Sequence, residues 1–269
     1  MEKEEIVKKL QPIIDDLGKC GFEVYLVSRT EPKLKKLQLS KEGLHKNLKA
    51  DIANVIKEQY IIDEAIYAGA ECISDNQVKF YVIEQNEQYN PFDVYSWTKE
   101  DFKEEQLDDF KGLFFVFRYG EQYIWCYQNR RSGTVANRKN SNCFARIMKY
   151  DNGIIFEEQT EKIVKFEHAI DLIVVDETII TSNIGLLERS FDFQIFVQQK
   201  AKEAAATVES SQLFTGMDKL NDYLASDVKS HKSYRKKMMK VVDSPVLKMK
   251  TADLWSKIST LPRWKGKFK

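Results

Sequence analysis

Lys229, Lys232, Lys236 and Lys240 recur at intervals of three and four residues, which on a helix read over 229–242 puts all four ammonium groups on one stripe. Tyr234, Met238, Val241 and Val242 share the opposite stripe, and Arg235 and Lys237 widen the charged one. Such a helix docks by its apolar side and presents positive charge on the other. A second cluster lies in QNRRSGTVANRKNSNCFARIMK, where Arg130, Arg131, Arg138 and Lys139 fall on an expected hairpin loop led in by Tyr123, Trp125 and Tyr127. The chemistry open to these residues is non-covalent: contact with a run of phosphates, which needs positive groups at phosphate spacing and no base readout. Three rival readings fit the same charges. The stripe can be an ordinary solvated face, it can meet the acidic stretch 84–109 of this chain or of a second copy, or it can favour anionic lipid headgroups. The alternation that places Tyr123, Trp125 and Tyr127 on one strand face makes them core more readily than a stacking platform.

Covalent chemistry finds less support. The three histidines, His45, His168 and His231, have no Cys, Ser or carboxylate partner at a motif spacing. Neither GxxxxGK[ST] nor GxGxxG occurs, so the backbone cradles that hold nucleotide phosphates are not indicated. A metal-dependent nuclease would draw on Asp171, Asp176 or Glu84 at strand ends, but no lysine follows at the customary spacing. We therefore expect no catalytic residue, no metal and no cofactor. Cys20, Cys72, Cys126 and Cys143 are widely separated, with no CxxC, and read as buried free thiols in a reducing compartment.

The formal net charge of +1 conceals a dipole. From Lys229 to Lys269 there are 13 Lys/Arg against two Asp, so the first 228 residues carry the compensating negative excess. The start, MEKEEIVKKL, is charged with both signs, and no apolar run approaches the length of a membrane span. These features predict a soluble, cytoplasmic protein. The closing Trp264–Lys269 reads as the entry to a further strand.

The elements that must position these charges follow from periodicity. Ile6, Leu10, Ile13, Ile14 and Leu17 predict an amphipathic opening helix over 2–20, and Leu44, Leu48, Ile52, Val55 and Ile56 a second over 42–60 with Ser40 as its cap. Strands are predicted over 22–29, 78–83, 113–119 and 122–127, the last two joined at Gly120-Glu121. Phe144–Met148 and Ile154–Phe156 are expected to continue that sheet. WTKEDFKEEQLDDF reads as a short surface helix. Leu172–Val175 and Thr178–Thr181 form a second hairpin across Asp176-Glu177, its first strand buried on both faces. From Asn183 onward the pattern is helical: Asn183 and Asp192 cap successive helices, Thr215–Asp218 makes a capping box, and Ser244-Pro245 opens another helix. The expected fold is α+β, a mixed or antiparallel sheet body over 1–210 flanked by helices, with a basic all-helical section over 211–269.

Phe117-Arg-Tyr-Gly120, with the aromatic strand and basic hairpin after it, and FEHAIDLIVVDETIITSNIGLLERSFDFQIFVQQKAKE from Phe166 to Glu203 together resemble the KwaB-like family, the cytosolic component of the Kiwa anti-phage defence system. The resemblance rests on an apolar strand, an acidic turn, Ile179-Ile180 and Asn183, then Leu186, Leu187, Glu188 and Phe191, and is best over about 112–210. It implies a homo-oligomeric effector that binds DNA without strong sequence preference and works beside a membrane-embedded partner protein. The alternatives from the residues themselves are a protein–protein interaction module of a defence complex and the metal-dependent nuclease above.

Overall fold

A computed structural model describes residues 3–39, 42–69, 80–102, 109–131, 135–136, 145–150, 153–158, 163–211, 218–219, 222, 232–239, 241 and 245–260. The fold is α+β with a mixed sheet. In chain order the strands are β1 (Gly21–Ser28), β2 (Lys33–Leu37), β3 (Tyr67–Gly69), β4 (Phe80–Glu84), β5 (Thr98–Asp101), β6 (Phe110–Tyr119), β7 (Gln122–Asn129), β8 (Val135–Ala136), β9 (Ala145–Tyr150), β10 (Gly153–Glu158), β11 (Ile163–Val164), β12 (Leu172–Val175) and β13 (Thr178–Thr181). The helices are α1 (Lys3–Asp15), α2 (Glu42–Tyr60), α3 (Ile184–Ser190), α4 (Phe193–Ser210), α5 (Lys232–Met239) and α6 (Thr251–Thr260). Two compact units divide the chain, Met1–Tyr67 with Phe92–Ser182, and Ala68–Pro91 with Asn183–Lys269.

In the first unit the strands run in the order β13-β12-β7-β6-β1-β2-β5. The neighbouring strands in this order pair antiparallel except β2 with β5, which pair parallel. β6 is the spine. Its residues Leu113 to Phe117 are all buried, because α-helices cover one face and an aromatic loop segment covers the other. On one face Phe22 meets Phe117 at 5.1 Å and the His45 ring of α2 at 5.4 Å, while the His45 Nε2 lies 3.0 Å from the Phe22 carbonyl. On the other, Phe92 packs edge-on to Phe114 at 5.9 Å, and Tyr95 edge-on to Trp125 at 6.1 Å. A sheet with both faces covered is apolar in consecutive positions, which explains LFFVF on β6 and LIVV on β12. The Gly120 turn of the β6–β7 hairpin has φ +61°, and Asp176 at the β12–β13 turn has φ +53°, the left-handed values a two-residue hairpin loop requires.

In the second unit α4 buries Ala201, Ala204, Ala205 and Val208 against Met238 of α5, with Val241 and Leu247 at the margin. Small residues at the contact bring the two helix backbones close. Asn183 caps α3, its side-chain oxygen accepting the Leu186 N–H at 3.2 Å. Asp192 sits at the cap position of α4 in the left-handed conformation and makes no side-chain cap bond. Tyr89 packs on Phe193 and Phe196 at 5.2 and 5.1 Å.

Several expectations need correction. α1 ends at Asp15, and Leu17–Lys19 is a separate 3-10 turn. Lys33–Leu37, which carries too many lysines to read as a strand, pairs with β1 and buries both Leu34 and Lys35. Thr98–Asp101, expected as helix, is an exposed strand added parallel to β2. β9 and β10 form their own two-stranded hairpin rather than extending the main sheet. α4, before the expected boundary at 210, packs with α5, after it. Within 211–269 the described elements include α5, α6 and a 3-10 turn at Pro245–Lys248, whereas Ser211, Val241, Met249 and Lys250 are not helical. Ser40, Thr215 and Ser244 lie outside the described residues. Cys20 and Cys126 are buried free thiols, and burial pushes both up in pKa; Cys72 and Cys143 are outside the described residues.

Candidate functional site

Antiparallel pairing brings the end of β1, the start of β6 and the end of β7 to one edge of the sheet, with Ser28 opposite Phe110 and Gly112 opposite Asn129. Arg29 follows β1, Lys111 lies on β6, and Asn129, Arg130 and Arg131 close β7. These five residues line an open recess of about 380 Å³. Four of them are cations, gathered from three chain segments far apart in sequence.

Each cation is held differently. Arg130 lays its guanidinium 4.6 Å over the Phe110 ring and donates from Nη1 to the Phe110 carbonyl at 3.3 Å. Its backbone N–H donates to the Lys111 carbonyl at 2.9 Å, which continues the β6–β7 ladder past Asn129. That carbonyl also accepts the Tyr127 hydroxyl at 3.0 Å. Arg131 is ion-paired to Glu167 through Nη1 and reaches Asp171 Oδ1 through Nη2 at 3.4 Å. The second Asp171 oxygen accepts the Asn129 N–H at 2.7 Å. Arg29 is exposed.

The acidic pair is fixed by buried Gln128. Its amide nitrogen donates to the Glu167 and Ala169 carbonyls, each at 2.7 Å, and its oxygen accepts the Glu167 N–H at 3.1 Å. A buried amide with its donors and acceptor all used is a rigid clamp. The segment carrying Glu167 and Asp171 is therefore positioned as firmly as the strand itself. Four cations facing two carboxylates leave a recess of net charge +2 by its named residues.

Of the residues expected from sequence, Arg130 and Arg131 come together here. Arg138 and Lys139 lie outside the described residues, as do Lys229 and Lys240. Lys232, Arg235, Lys236 and Lys237 lie on α5 in the other unit. Arg235 is 5% exposed, so its guanidinium is part of the packing rather than of a solvent-facing stripe. Lys236 is paired with Glu188 of α3 at 3.0 Å, both side chains 15% exposed. Lys237 is exposed. Arg29 and Lys111 were not foreseen: only the register of β1 against β6 and β7 shows that they share an edge with Arg130.

Two of the nuclease carboxylates, Asp171 and Asp176, do not converge. Asp171 and Asp176 stand at opposite ends of four-residue β12, roughly 16 Å apart at strand rise. Asp171 is engaged by Arg131, Asp176 is paired with Lys9 at 3.1 Å, and Glu84 ends β4 in the other unit. Among the described residues no group of three His, Cys, Asp or Glu side chains is arranged to hold a metal ion, and no helix is long and apolar enough to cross a membrane.

A family model described as Kiwa protein KwaB-like matches residues 107–269, more than half of the chain and inclusive of Lys111, Arg130 and Arg131. Neither a curated protein nor a solved structure matches the chain.

Proposed function

Because this chain belongs to the Kiwa protein KwaB-like family, and so to a component of Kiwa anti-phage defence, we propose that it acts in that defence by holding the DNA backbone in the Arg29–Lys111–Arg130–Arg131 recess. The observation that carries this is the convergence of four cations from β1, β6 and the end of β7 on one open concavity. Charge-assisted bonds from guanidinium and ammonium groups to phosphate oxygens are strong and indifferent to base sequence. Contacts of this kind to the backbone alone suit binding without strong sequence preference. Partnership with a membrane-embedded protein of the same system and self-association as a dimer or higher homo-oligomer belong to the same proposal.

The test is duplex DNA binding by fluorescence anisotropy over a series of salt concentrations. Replacing Arg29 and Lys111 with glutamine should weaken binding about tenfold or more at moderate salt, equally for unrelated sequences, and flatten the log–log salt slope by about 2. Unchanged affinity and slope would discard the recess as the DNA site. Retained salt-dependent self-association with no DNA binding in the parent protein would instead favour a protein interaction module.

Glu167 makes a second expectation. It occupies Arg131, so a phosphate must displace it or share the guanidinium. Glu167→Gln removes the competing charge while keeping the side-chain length, and should raise DNA affinity about threefold to tenfold at low salt. The same binding curves check it: no gain would mean that Arg131 does not reach the ligand.

A further inference from the structure

β6 carries a second polar feature at its far end. Lys111 and Arg118 are seven residues apart on this strand, about 24 Å at antiparallel rise, so what surrounds Arg118 is a separate place from the recess above. There, a cavity of about 270 Å³ is lined by Gly21, Phe22, Glu23, Val116, Arg118 and Tyr123. Arg118 and Tyr123 are directly opposed across the β6–β7 ladder, and Gly21 opposes Arg118 across β1. With no side chain at Gly21, the Arg118 side chain lies along the β1 backbone as far as its Nε, and the residue is exposed.

The aromatic stripe of β7 surfaces at this point. Trp125 and Tyr127 are buried, as the alternation predicted, but Tyr123 is only partly buried. It stacks on Trp125 at 6.3 Å with planes 28° apart, and Tyr95, itself 57% exposed, stands edge-on to it at 6.2 Å. Trp125 behind it is fixed by Phe114 at 5.6 Å and faces the Lys99 ammonium at 5.4 Å. The Tyr123 ring is thus packed against Trp125 and Tyr95, with the exposed Arg118 opposite it across the ladder.

Glu23 is the one carboxylate in the lining. Burial alone would raise it, yet hydrogen bonds from Lys36 and Tyr25 hold it below the usual range. Its charge is therefore already answered by Lys36, with the exposed Lys99 also near it, and Arg118 is the exposed cation among the lining residues.

We propose that this cavity is a nucleotide site, in which an unstacked base lies on Tyr123 and the attached phosphate pairs with Arg118. A flat aromatic ring binds any base face, and a guanidinium in the lining selects bases that carry a phosphate. The same chemistry is presented by a free mononucleotide and by a frayed terminal residue of a single strand. Duplex interior phosphates present no free base, so this site does not duplicate the recess at the other end of β6.

Titrating the full chain with dAMP, dGMP, dCMP and TMP, with isothermal calorimetry and tryptophan fluorescence as readouts, tests the proposal. Deoxyadenosine and deoxyribose 5-phosphate serve as the half-ligands. Mononucleotides should bind at least about fivefold more tightly than either half-ligand. Tyr123→Ala should remove that advantage, Tyr123→Phe should keep it, and Arg118→Gln should reduce nucleotide affinity to that of the nucleoside. A 5′-phosphorylated trinucleotide tells the sources apart: tighter binding than dAMP assigns a strand end, weaker binding assigns free nucleotide, and either supports the site. The Arg29/Lys111 glutamine variant should bind mononucleotides as the parent does, which separates failure here from failure of the DNA reading. Absence of binding at millimolar nucleotide, or equal binding by parent and Tyr123→Ala with thermal melts unchanged, would overturn it.

Discussion

Gly112→Ala should lower the melting temperature by roughly 6–12 °C, the shift expected of about 3 kcal/mol in a chain of this size. A β-carbon built at Gly112 falls well inside contact distance of the Tyr127 ring, on its Cζ, Oη and Cε2 atoms. That ring cannot step aside. Tyr127 is fully buried, packed by Phe114 at 5.3 Å and Phe92 at 6.1 Å, and anchored by its hydroxyl to the Lys111 carbonyl. Tyr127 therefore covers Gly112 as an aromatic ring covers a glycine in a neighbouring strand, and the two residues specify each other. On a Tyr127→Ala background, which is itself costly, Gly112→Ala should add little further loss. Thermal melts of the four proteins check this, and a penalty equal on both backgrounds would show that the ring is not the cause. The consequence reaches the recess, because the atom that Tyr127 holds is the carbonyl of Lys111.

How far such arrangements could be read from the chain depended on whether the signal was local. The β6–β7 and β12–β13 hairpins were legible because apolar runs, Gly120 and the Asp176-Glu177 pair are contiguous. Asn183 was legible as a cap for the same reason. β5 was not: Thr98–Asp101 is exposed at all four positions, so no apolar alternation marked it, and it exists as strand only through parallel pairing with β2. The candidate site divided along the same line. Arg130 and Arg131 stood out as adjacent basic residues, whereas Arg29 and Lys111 each look like isolated surface charges until the β1–β6 register puts them together. Nor did composition reveal that Glu167 and Asp171 face Arg131, since the Gln128 clamp that sets them there bridges about 40 residues.

Lys236→Glu puts charge reversal on α5 to a test that differs from DNA binding, and its expected effect is on folding. Lys236 and Glu188 meet at 3.0 Å with both side chains 15% exposed, a pair taken largely out of water. Breaking such a pair costs about 3–5 kcal/mol, and here the substitution sets a second carboxylate beside the first. The pair ties α5 to α3, while α5 packs on α4 through a small-residue seam of Ala201, Ala204 and Ala205. Lys236→Glu should therefore destabilise the unit containing α3, α4 and α5, visible as an earlier unfolding transition or raised amide exchange along α4. Glu188→Lys combined with Lys236→Glu restores opposite charges at the same positions and should recover most of the stability. If the single variant melts like the parent, the pair is solvated in solution and Lys236 is available to an external anion. If the swap rescues folding while DNA affinity stays at the parent's level throughout, this lysine serves the fold, and the cationic work belongs to the β1–β6–β7 edge.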